Sequence, residues 1–230
     1  RGHAEGRQKT TNSALERNEM VKAMWPAKAF QERMCEMLNA RLDGGEPDPA
    51  WADIVQQMAH KPGNDATKTT NYRALSFMSV LAQVEAKLVM ARVGALQEKY
   101  HMLDDNQNGC RQTRGCMHNL VLMVIAMELN PHLYLAMLDV HKAHPTADRD
   151  ACAWEMALMG FGGKLWRLLE RLQEGKHCRV RCGTVFSDTY EVERGLLEGH
   201  GSSGRMYLTL INTAIAAVRA DARGLGLTIR

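Results

Sequence analysis

The sequence has no apolar run approaching the roughly 20 residues that a transmembrane helix needs. Its first residues, Arg1-Gly2-His3-Ala4, lack the apolar core of a signal peptide, and we expect no membrane partner. Strong charge of either sign is also missing, since 29 Lys and Arg residues stand against 26 Asp and Glu, a net charge of +3. Bulk electrostatics therefore does not by itself predict a nucleic-acid-binding protein. What is present, 45% hydrophobic and 24% charged residues over 230 positions, is typical of a globular chain that can bury a core and argues against disorder.

The cysteines and histidines do not form the motifs of a zinc site. Cys110 and Cys116 lie six residues apart and Cys178 and Cys182 four apart, so neither pair has the C-x₂-C spacing. The nine histidines include no His-x-x-x-His or His-Glu-x-x-His motif. We therefore predict no zinc, and an intracellular protein with reduced thiols, in either nucleus or cytoplasm. Cys178 and Cys182 share one face of an alternating stretch, where core thiols are the simplest interpretation.

Helical spacing of apolar residues dominates the chain. Over residues 12–42 it predicts two helices divided by Pro26, because an interior proline removes a hydrogen bond and clashes with the preceding turn. The same spacing predicts further helices over residues 75–100, 114–129, 147–159, 163–173 and 206–222.

Fewer segments have the pattern of strands. Residues 54–58 could form a short strand, and alternation over 177–184 and 189–194 predicts a hairpin around Ser187-Asp188. Residues 133–140 are apolar except for Asp139, which is typical of a strand buried on both faces with a carboxylate near its C-terminal end. Residues 225–229 would form a last strand. The predicted class is α+β, helix-rich with a small antiparallel sheet.

Several segments occur together in an order that one protein family shares. They are Trp51, Lys61 in a polar loop, Asn71–Ser76, Gln107–Arg111 followed by Arg114-Gly115, Leu138–His144, Gly160–Trp166, and Arg194–Ser203 with Ile211-Asn212 beyond. In this order and spacing they resemble the fingers and palm of a reverse transcriptase of the non-LTR retrotransposon type, and more distantly of the group II intron type. The resemblance covers roughly residues 10–230.

The resemblance implies a right-hand polymerase architecture and an activity. Residues 1–50 would be an N-terminal helical segment leading into the fingers, 51–130 the fingers, and 131–230 a partial palm with the first and second palm motifs. The activity implied for the parent protein is RNA-templated DNA synthesis, a phosphoryl transfer in which two divalent ions clamp the attacking and leaving oxygens. The implied cofactor is Mg²⁺ or Mn²⁺, and the implied partners are an RNA template, a DNA primer and deoxynucleoside triphosphates.

The resemblance also implies roles for individual residues. Asp139 would be the catalytic carboxylate, and its oxygens and the Val140 backbone carbonyl would be metal ligands, since Mg²⁺ prefers oxygen. Lys61 and Arg73 would hold the triphosphate, for which a guanidinium fork is suited. The remaining implied contacts are His144, Glu198 and Gly199 at the nucleotide, and Arg111 and Arg114 at the template.

The sequence departs from the family pattern where the third palm motif should follow. An aromatic-x-Asp-Asp motif is absent, and the single Asp-Asp pair, Asp104-Asp105, precedes the first palm motif. One carboxylate cannot hold two metal ions, so we expect this chain to be a fragment that does not polymerise by itself. The strand that carries Asp139 would also lack a neighbour, and an unpaired apolar edge favours aggregation. His144 stands where the family has Phe or Tyr, and Glu198 where Gln is commoner.

Simpler interpretations of the same residues remain open. A lone Asp139 at a strand end is commonly a turn or cap residue, and Lys61 and Arg73 taken singly are solvated surface charges. The alternative function is a non-enzymatic nucleic-acid-binding or scaffold protein that is derived from a reverse transcriptase and has lost the chemistry.

Overall fold

The structure, a computed structural model, describes residues 18–221 of the chain. The helices are α1 (Asn18–Met24), α2 (Lys28–Leu42), α3 (Val80–Lys99), α4 (Cys116–Leu129), α5 (Ala143–Thr146), α6 (Arg149–Leu158), α7 (Gly163–Arg171) and α8 (Ser203–Ala220). The strands are β1 (Asp53–His60), β2 (Tyr72–Phe77), β3 (His177–Cys182), β4 (Val185–Phe186) and β5 (Tyr190–Glu191). The predicted strand at 225–229 lies outside the described residues. Across 18–221, no helix combines the length and apolarity that a membrane crossing requires.

The α+β class is confirmed, but the sheet is mixed rather than antiparallel. Strand β1 pairs antiparallel with β2, from Val55↔Phe77 to His60↔Tyr72, and parallel with β3, from Asp53↔His177 to Gln57↔Arg181. A parallel neighbour needs a long crossover, and the chain between β1 and β3 supplies one through helices α3 to α7. The predicted fingers and partial palm thus contribute strands to one sheet.

The predicted hairpin is present with its turn in a different place. Strand β3 reverses at Gly183, whose φ of +62° suits a tight turn, so that Cys182 faces Val185. Farther along, Cys178 faces Tyr190 across β3 and β5. The prediction of a turn around Ser187-Asp188 is therefore wrong. These residues interrupt the returning strand, and the Ser187 hydroxyl accepts a hydrogen bond from the Val180 N–H at 2.9 Å.

Helix boundaries follow local signals where such signals exist. The division at Pro26 is confirmed, since α1 ends at Met24 and α2 begins at Lys28. The helix predicted from residue 75 begins instead at Val80, after Ser79, whose hydroxyl accepts from the Ala82 N–H as an N-cap. Residues 72–77 form strand β2 because β1 lies beside them to complete the ladder.

The main core lies between the long helices. Most of its buried members come from α3, α6, α7 and α8, among them Val93, Met156, Leu169 and Met206. A second cluster, formed by Ile54, Met78, Cys178 and Leu197, joins the sheet to the segment before α8. The core position predicted for Cys178 is confirmed, whereas Cys182 is exposed.

One expected element of the core is not buried. Residues 133–140 form no strand, and Tyr134 and Leu138 are 99% and 95% exposed, so the prediction of a strand buried on both faces is wrong. Among residues 18–221 no strand pairs with this segment, and its apolar side chains have nothing to cover them. Helix α4, which precedes it, also has no buried residue. We call residues 116–140 the exposed apolar segment.

Candidate functional site

Four of the residues singled out from the sequence line one pocket. Lys61, Arg73, Asp139 and Glu198 come from separate stretches of the chain and all face a cavity of about 520 Å³. We call it the basic pocket, because its charged lining comprises four cations and two carboxylates. These are Lys61, Arg73, Lys142 and Arg194, with Asp139 and Glu198.

The β1–β2 hairpin positions the first two cations. Arg73 faces Ala59 in the ladder, and the Lys61 N–H donates to the Asn71 carbonyl at 2.8 Å where the strands part. The Lys61 ammonium donates to the Thr70 carbonyl at 3.2 Å. The exposed Arg73 guanidinium has no hydrogen bond or ion pair within residues 18–221, so its donors are available to a ligand.

The connecting loop is held by its own hydrogen bonds. Asp65 accepts from both the N–H and the hydroxyl of Thr67, at 2.9 and 2.7 Å. These bonds hold the pKa of the Asp65 carboxyl below its usual value. The Tyr72 hydroxyl donates to the Ala66 carbonyl at 2.9 Å. Lys61 and Arg73 are therefore carried on a hairpin whose loop is held by hydrogen bonds.

Glu198 and Gly199 form a turn fixed against the end of β2. The Glu198 carbonyl accepts from the Ser76 N–H at 3.0 Å, and the Gly199 carbonyl accepts from the Gln83 amide at 2.7 Å. Gly199 has a φ of +101°, and a Cβ there would lie 2.9 Å from the Ser76 carbonyl oxygen. Glycine is required for this approach. Glu198 lines the pocket, whereas Gly199 does not.

The segment after Asp139 and the segment before Glu198 meet at a second glycine. Gly195 has a φ of +82°, and a Cβ there would clash with the Pro145 carbonyl oxygen. The adjacent Leu196 N–H donates to the His144 carbonyl at 2.7 Å. Arg149 holds the same segment in place by donating to the carbonyl of Gly195 at 2.7 Å. This contact brings the segment with Asp139 beside the segment with Glu198.

His144 and Val140 do not line the basic pocket. The His144 ring packs against Tyr207 of α8, with ring centroids 5.2 Å apart. Burial, and then the neighbouring Asp139 charge, raise the pKa of Tyr207. Its hydroxyl is buried without a hydrogen-bond partner among the described residues. Val140 is exposed beside Asp139. The roles implied for His144 and Val140 stay predictions.

The described residues do not contain a preformed metal centre. Within 18–221, no three His, Cys, Asp or Glu side chains lie close enough together to hold an ion. Asp139 and Glu198 are the two acids of the pocket. Mg²⁺ is commonly held by one or two carboxylates together with substrate phosphates, so Asp139 fits as a single ligand to an ion that arrives with a triphosphate. A complete two-ion clamp does not fit these residues.

Arg111 and Arg114 lie away from the pocket. Arg111 is buried and donates to both carboxylate oxygens of Glu98, at 2.8 and 2.6 Å. This bidentate pair lowers the pKa of Glu98 and raises that of Arg111. Arg114 donates to the Asp105 carbonyl at 2.7 Å. The guanidinium of Arg111 is thus engaged inside the fold, and template binding by the two arginines remains a prediction.

Sequence reasoning missed two cations of the pocket. Lys142 and Arg194 both lie inside the segments that carry the resemblance, but neither was assigned a role. Lys142 adopts a left-handed conformation, with a φ of +50°, in the turn after Asp139. Their positions next to Asp139 and Glu198 in the sequence were the available signal.

Comparison with known proteins does not identify a family. No protein-family model matches the chain, and no curated protein matches it significantly.

Proposed function

We propose that this chain is a reverse-transcriptase-like domain of the non-LTR type, and that its basic pocket binds the triphosphate of a deoxynucleotide. The observation that carries the proposal is that Lys61, Arg73, Asp139 and Glu198, chosen from separate motifs, line one cavity. In this proposal the hairpin of β1 and β2 belongs to the fingers, and the segments around Asp139 and Glu198 belong to a partial palm.

The charges and size of the pocket support a phosphate ligand. Four cations outnumber two carboxylates. The Arg73 guanidinium, which has no partner within residues 18–221, can donate to two phosphate oxygens at once. A cavity of about 520 Å³ lies within the range of small-molecule sites. Glu198 would repel a triphosphate, so the ligand must contact the Lys61 and Arg73 side and bring a divalent cation between itself and the acids.

The proposed partners follow from the same resemblance. The parent protein would copy an RNA template onto a DNA primer by two-ion phosphoryl transfer, with Mg²⁺ or Mn²⁺. In this proposal the basic pocket holds the nucleotide, while no three acidic, His or Cys side chains of residues 18–221 are close enough to hold an ion. We therefore propose binding without primer extension for the isolated chain.

Nucleotide binding can be tested with a fluorescent deoxynucleoside triphosphate and Mg²⁺. Arg73→Ala should weaken binding about tenfold or more, because a hydrogen bond to a charged group contributes about 1.5–3 kcal/mol. Lys61→Ala should weaken it less. Arg92→Ala is the matched control, since Arg92 is an exposed arginine of α3 outside the pocket. Equal losses in Arg73→Ala and Arg92→Ala would contradict the proposal.

The alternative, a binding or scaffold protein without chemistry, is supported by the cationic excess of the pocket combined with its incomplete set of acids. Primer extension separates the two. Extension by the isolated chain that Asp139→Asn abolishes would assign a catalytic role. Salt-dependent affinity for an RNA–DNA duplex without extension would favour the alternative, since phosphate contacts release counterions.

A further inference from the structure

A second cleft, in which acidic residues outnumber basic ones, lies beside the basic pocket. Its volume is about 660 Å³, and Arg194 contributes to the walls of both cavities. Helices α6 and α7 supply two indoles, Trp154 and Trp166. Five carboxylates also line it: Asp148, Asp150, Glu170, Glu174 and Glu193. We call this cavity the acidic cleft.

The negative charge of the acidic cleft is only partly offset by the cations in its own wall. Within the described chain, none of its five carboxylates forms an ion pair. Arg149 and Arg194 also line the cleft, but five carboxylates outnumber these two guanidinium groups. The Arg149 guanidinium donates to the carbonyls of Gly195 and Val192, at 2.7 and 2.8 Å. Burial, and then the charges of Glu174 and Asp150, raise the pKa of Glu170. A cation in the cleft would relieve this repulsion.

One buried amide oxygen in the cleft wall has no hydrogen-bond donor within residues 18–221. Gln173 is 1% exposed and lines the cleft. Its amide nitrogen donates to the hydroxyls of Ser202 and Ser203, at 2.8 and 3.2 Å. Its Oε1 atom is buried and has no hydrogen-bond partner in the part of the chain that the structure describes. A buried acceptor without a donor is unfavourable, so a ligand N–H group that donates to this amide oxygen would be stabilising.

The two indoles add a surface suited to cations. Trp154 is 65% exposed although it is large and apolar, and it lines the same cleft as the carboxylates. Trp166 is fixed by its Nε1–H, which donates to the Ala153 carbonyl at 3.2 Å. Indole faces attract ammonium and guanidinium groups through the ring quadrupole. Alkyl chains between charged groups can pack on the same faces.

A single metal ion does not suit this arrangement. Among residues 18–221, no three acidic, His or Cys side chains are close enough to share one ion. Charges spread along a cleft of about 660 Å³ instead match a ligand whose positive charges are also spread. We propose that the acidic cleft binds an organic polycation of the polyamine class. Its ammonium groups would meet the carboxylates and the Gln173 oxygen, and its alkyl chain would pack on the indoles.

This proposal is independent of the nucleotide pocket and can be tested by titrating spermine into the purified 230-residue chain. Binding would be followed by calorimetry and by tryptophan fluorescence. We expect saturable binding of one spermine, weakened at least tenfold by the double variant Glu170→Gln/Glu174→Gln. Trp154→Ala should weaken it severalfold and abolish most of the fluorescence change. Arg73→Ala, in the basic pocket, should leave it unchanged.

The matched control removes two carboxylates elsewhere. Glu19→Gln/Asp188→Asn neutralises two exposed acids outside the cleft, and its affinity should stay within twofold of the parent. Circular dichroism would verify that every variant is folded. Absence of saturable binding to the folded chain would overturn the proposal, as would equal losses in the two double variants. Tighter binding of a tetra-arginine peptide than of spermine, with the same dependence on Glu170 and Glu174, would also overturn it in favour of a basic protein segment.

Discussion

The helical core and the exposed apolar segment are built from similar residues but differ in what covers them. In the core, Val93, Met156 and Leu169 are buried between four helices. In the exposed apolar segment, Leu122 on α4 and Leu138 beyond it face solvent. Hydrophobicity alone therefore does not decide burial, because a second apolar surface must be present to pack against.

The two regions also differ in pattern. Helix α7 carries polar residues on one side and buries Leu168 and Leu169 on the other. Helix α4, from Cys116 to Leu129, is apolar on nearly all sides, a composition that usually belongs to a fully buried helix. An apolar surface of this extent on a folded chain marks an interaction site or a site of aggregation.

Truncating a core side chain should produce the largest difference in unfolding free energy between the two regions. Leu169→Ala should destabilise the fold by about 2–5 kcal/mol, because it removes buried contacts and leaves a cavity. Leu122→Ala on α4 should change the free energy of unfolding by less than about 0.5 kcal/mol. Urea unfolding followed by circular dichroism measures both values. Equal losses would show that α4 is covered in solution.

Acid should weaken the packed side through His200. This side chain is buried against Ser202, and burial, followed by the Lys176 charge, lowers its pKa to about 3. In the unfolded chain the His200 imidazole has its ordinary pKa of about 6.5. The stability from neutral His200 is thus fully present above pH 6.5 and is lost as pH falls toward 3.

Well below pH 6.5 the expected slope of the unfolding free energy for this histidine is about 1.4 kcal/mol per pH unit, and the loss between pH 6.5 and 4.5 is about 2 kcal/mol. Asn at position 200 retains an acceptor for the Ser202 N–H but does not titrate. The difference in unfolding free energy between the parent and His200→Asn should therefore narrow as pH falls. A difference independent of pH would contradict the assignment.

A smaller loss of stability is expected where the segment after Asp139 contacts the segment before Glu198. Gly195→Ala forces a side chain into a left-handed conformation and toward the Pro145 carbonyl oxygen. We expect a destabilisation of about 1–3 kcal/mol, together with weaker nucleotide binding. Gly183→Ala is the control, since Gly183 also has a positive φ but no atom lies within 4 Å of the added Cβ. Similar losses of unfolding free energy in Gly195→Ala and Gly183→Ala would show that backbone strain alone causes the effect.

The smallest change in stability is expected in the exposed apolar segment itself. Leu138→Glu should alter the unfolding free energy by less than about 0.5 kcal/mol, because the side chain is already in water. Its solubility should nevertheless rise, since a charge interrupts an apolar stretch that can pair with another chain. Light scattering at increasing protein concentration checks this. Leu169→Glu, in the core, should lower solubility instead.

Local signals in the sequence predicted the elements that depend on neighbours in the chain. Pro26 divided two helices, and the alternation around Cys178 predicted a strand. Residues 75–77, the last part of β2, were assigned to a helix because the identity of this strand depends on pairing with β1. The parallel contact of β1 with β3 joins residues more than 100 positions apart, as in Asp53↔His177, and no local pattern encodes it.

The site was predictable to a similar degree. The ordered motifs indicated Lys61, Arg73, Asp139 and Glu198, and the fold brings all four to one cavity. The acidic cleft was not predicted, because its acids are divided among the start of α6, the end of α7 and Glu193. In the sequence each of them is an ordinary surface charge. Only packing of α6 against α7 collects them.

The lack of a strand partner for residues 133–140 has a consequence for Asp139. Within the described chain no ladder fixes the backbone that carries this carboxylate, whereas Glu198 is held by the hydrogen bond from Ser76. Preorganised groups act without an ordering cost at the moment of binding. Asp139 must instead lose conformational entropy when it contacts a ligand, so whatever covers this segment would raise affinity in the basic pocket without touching the ligand itself.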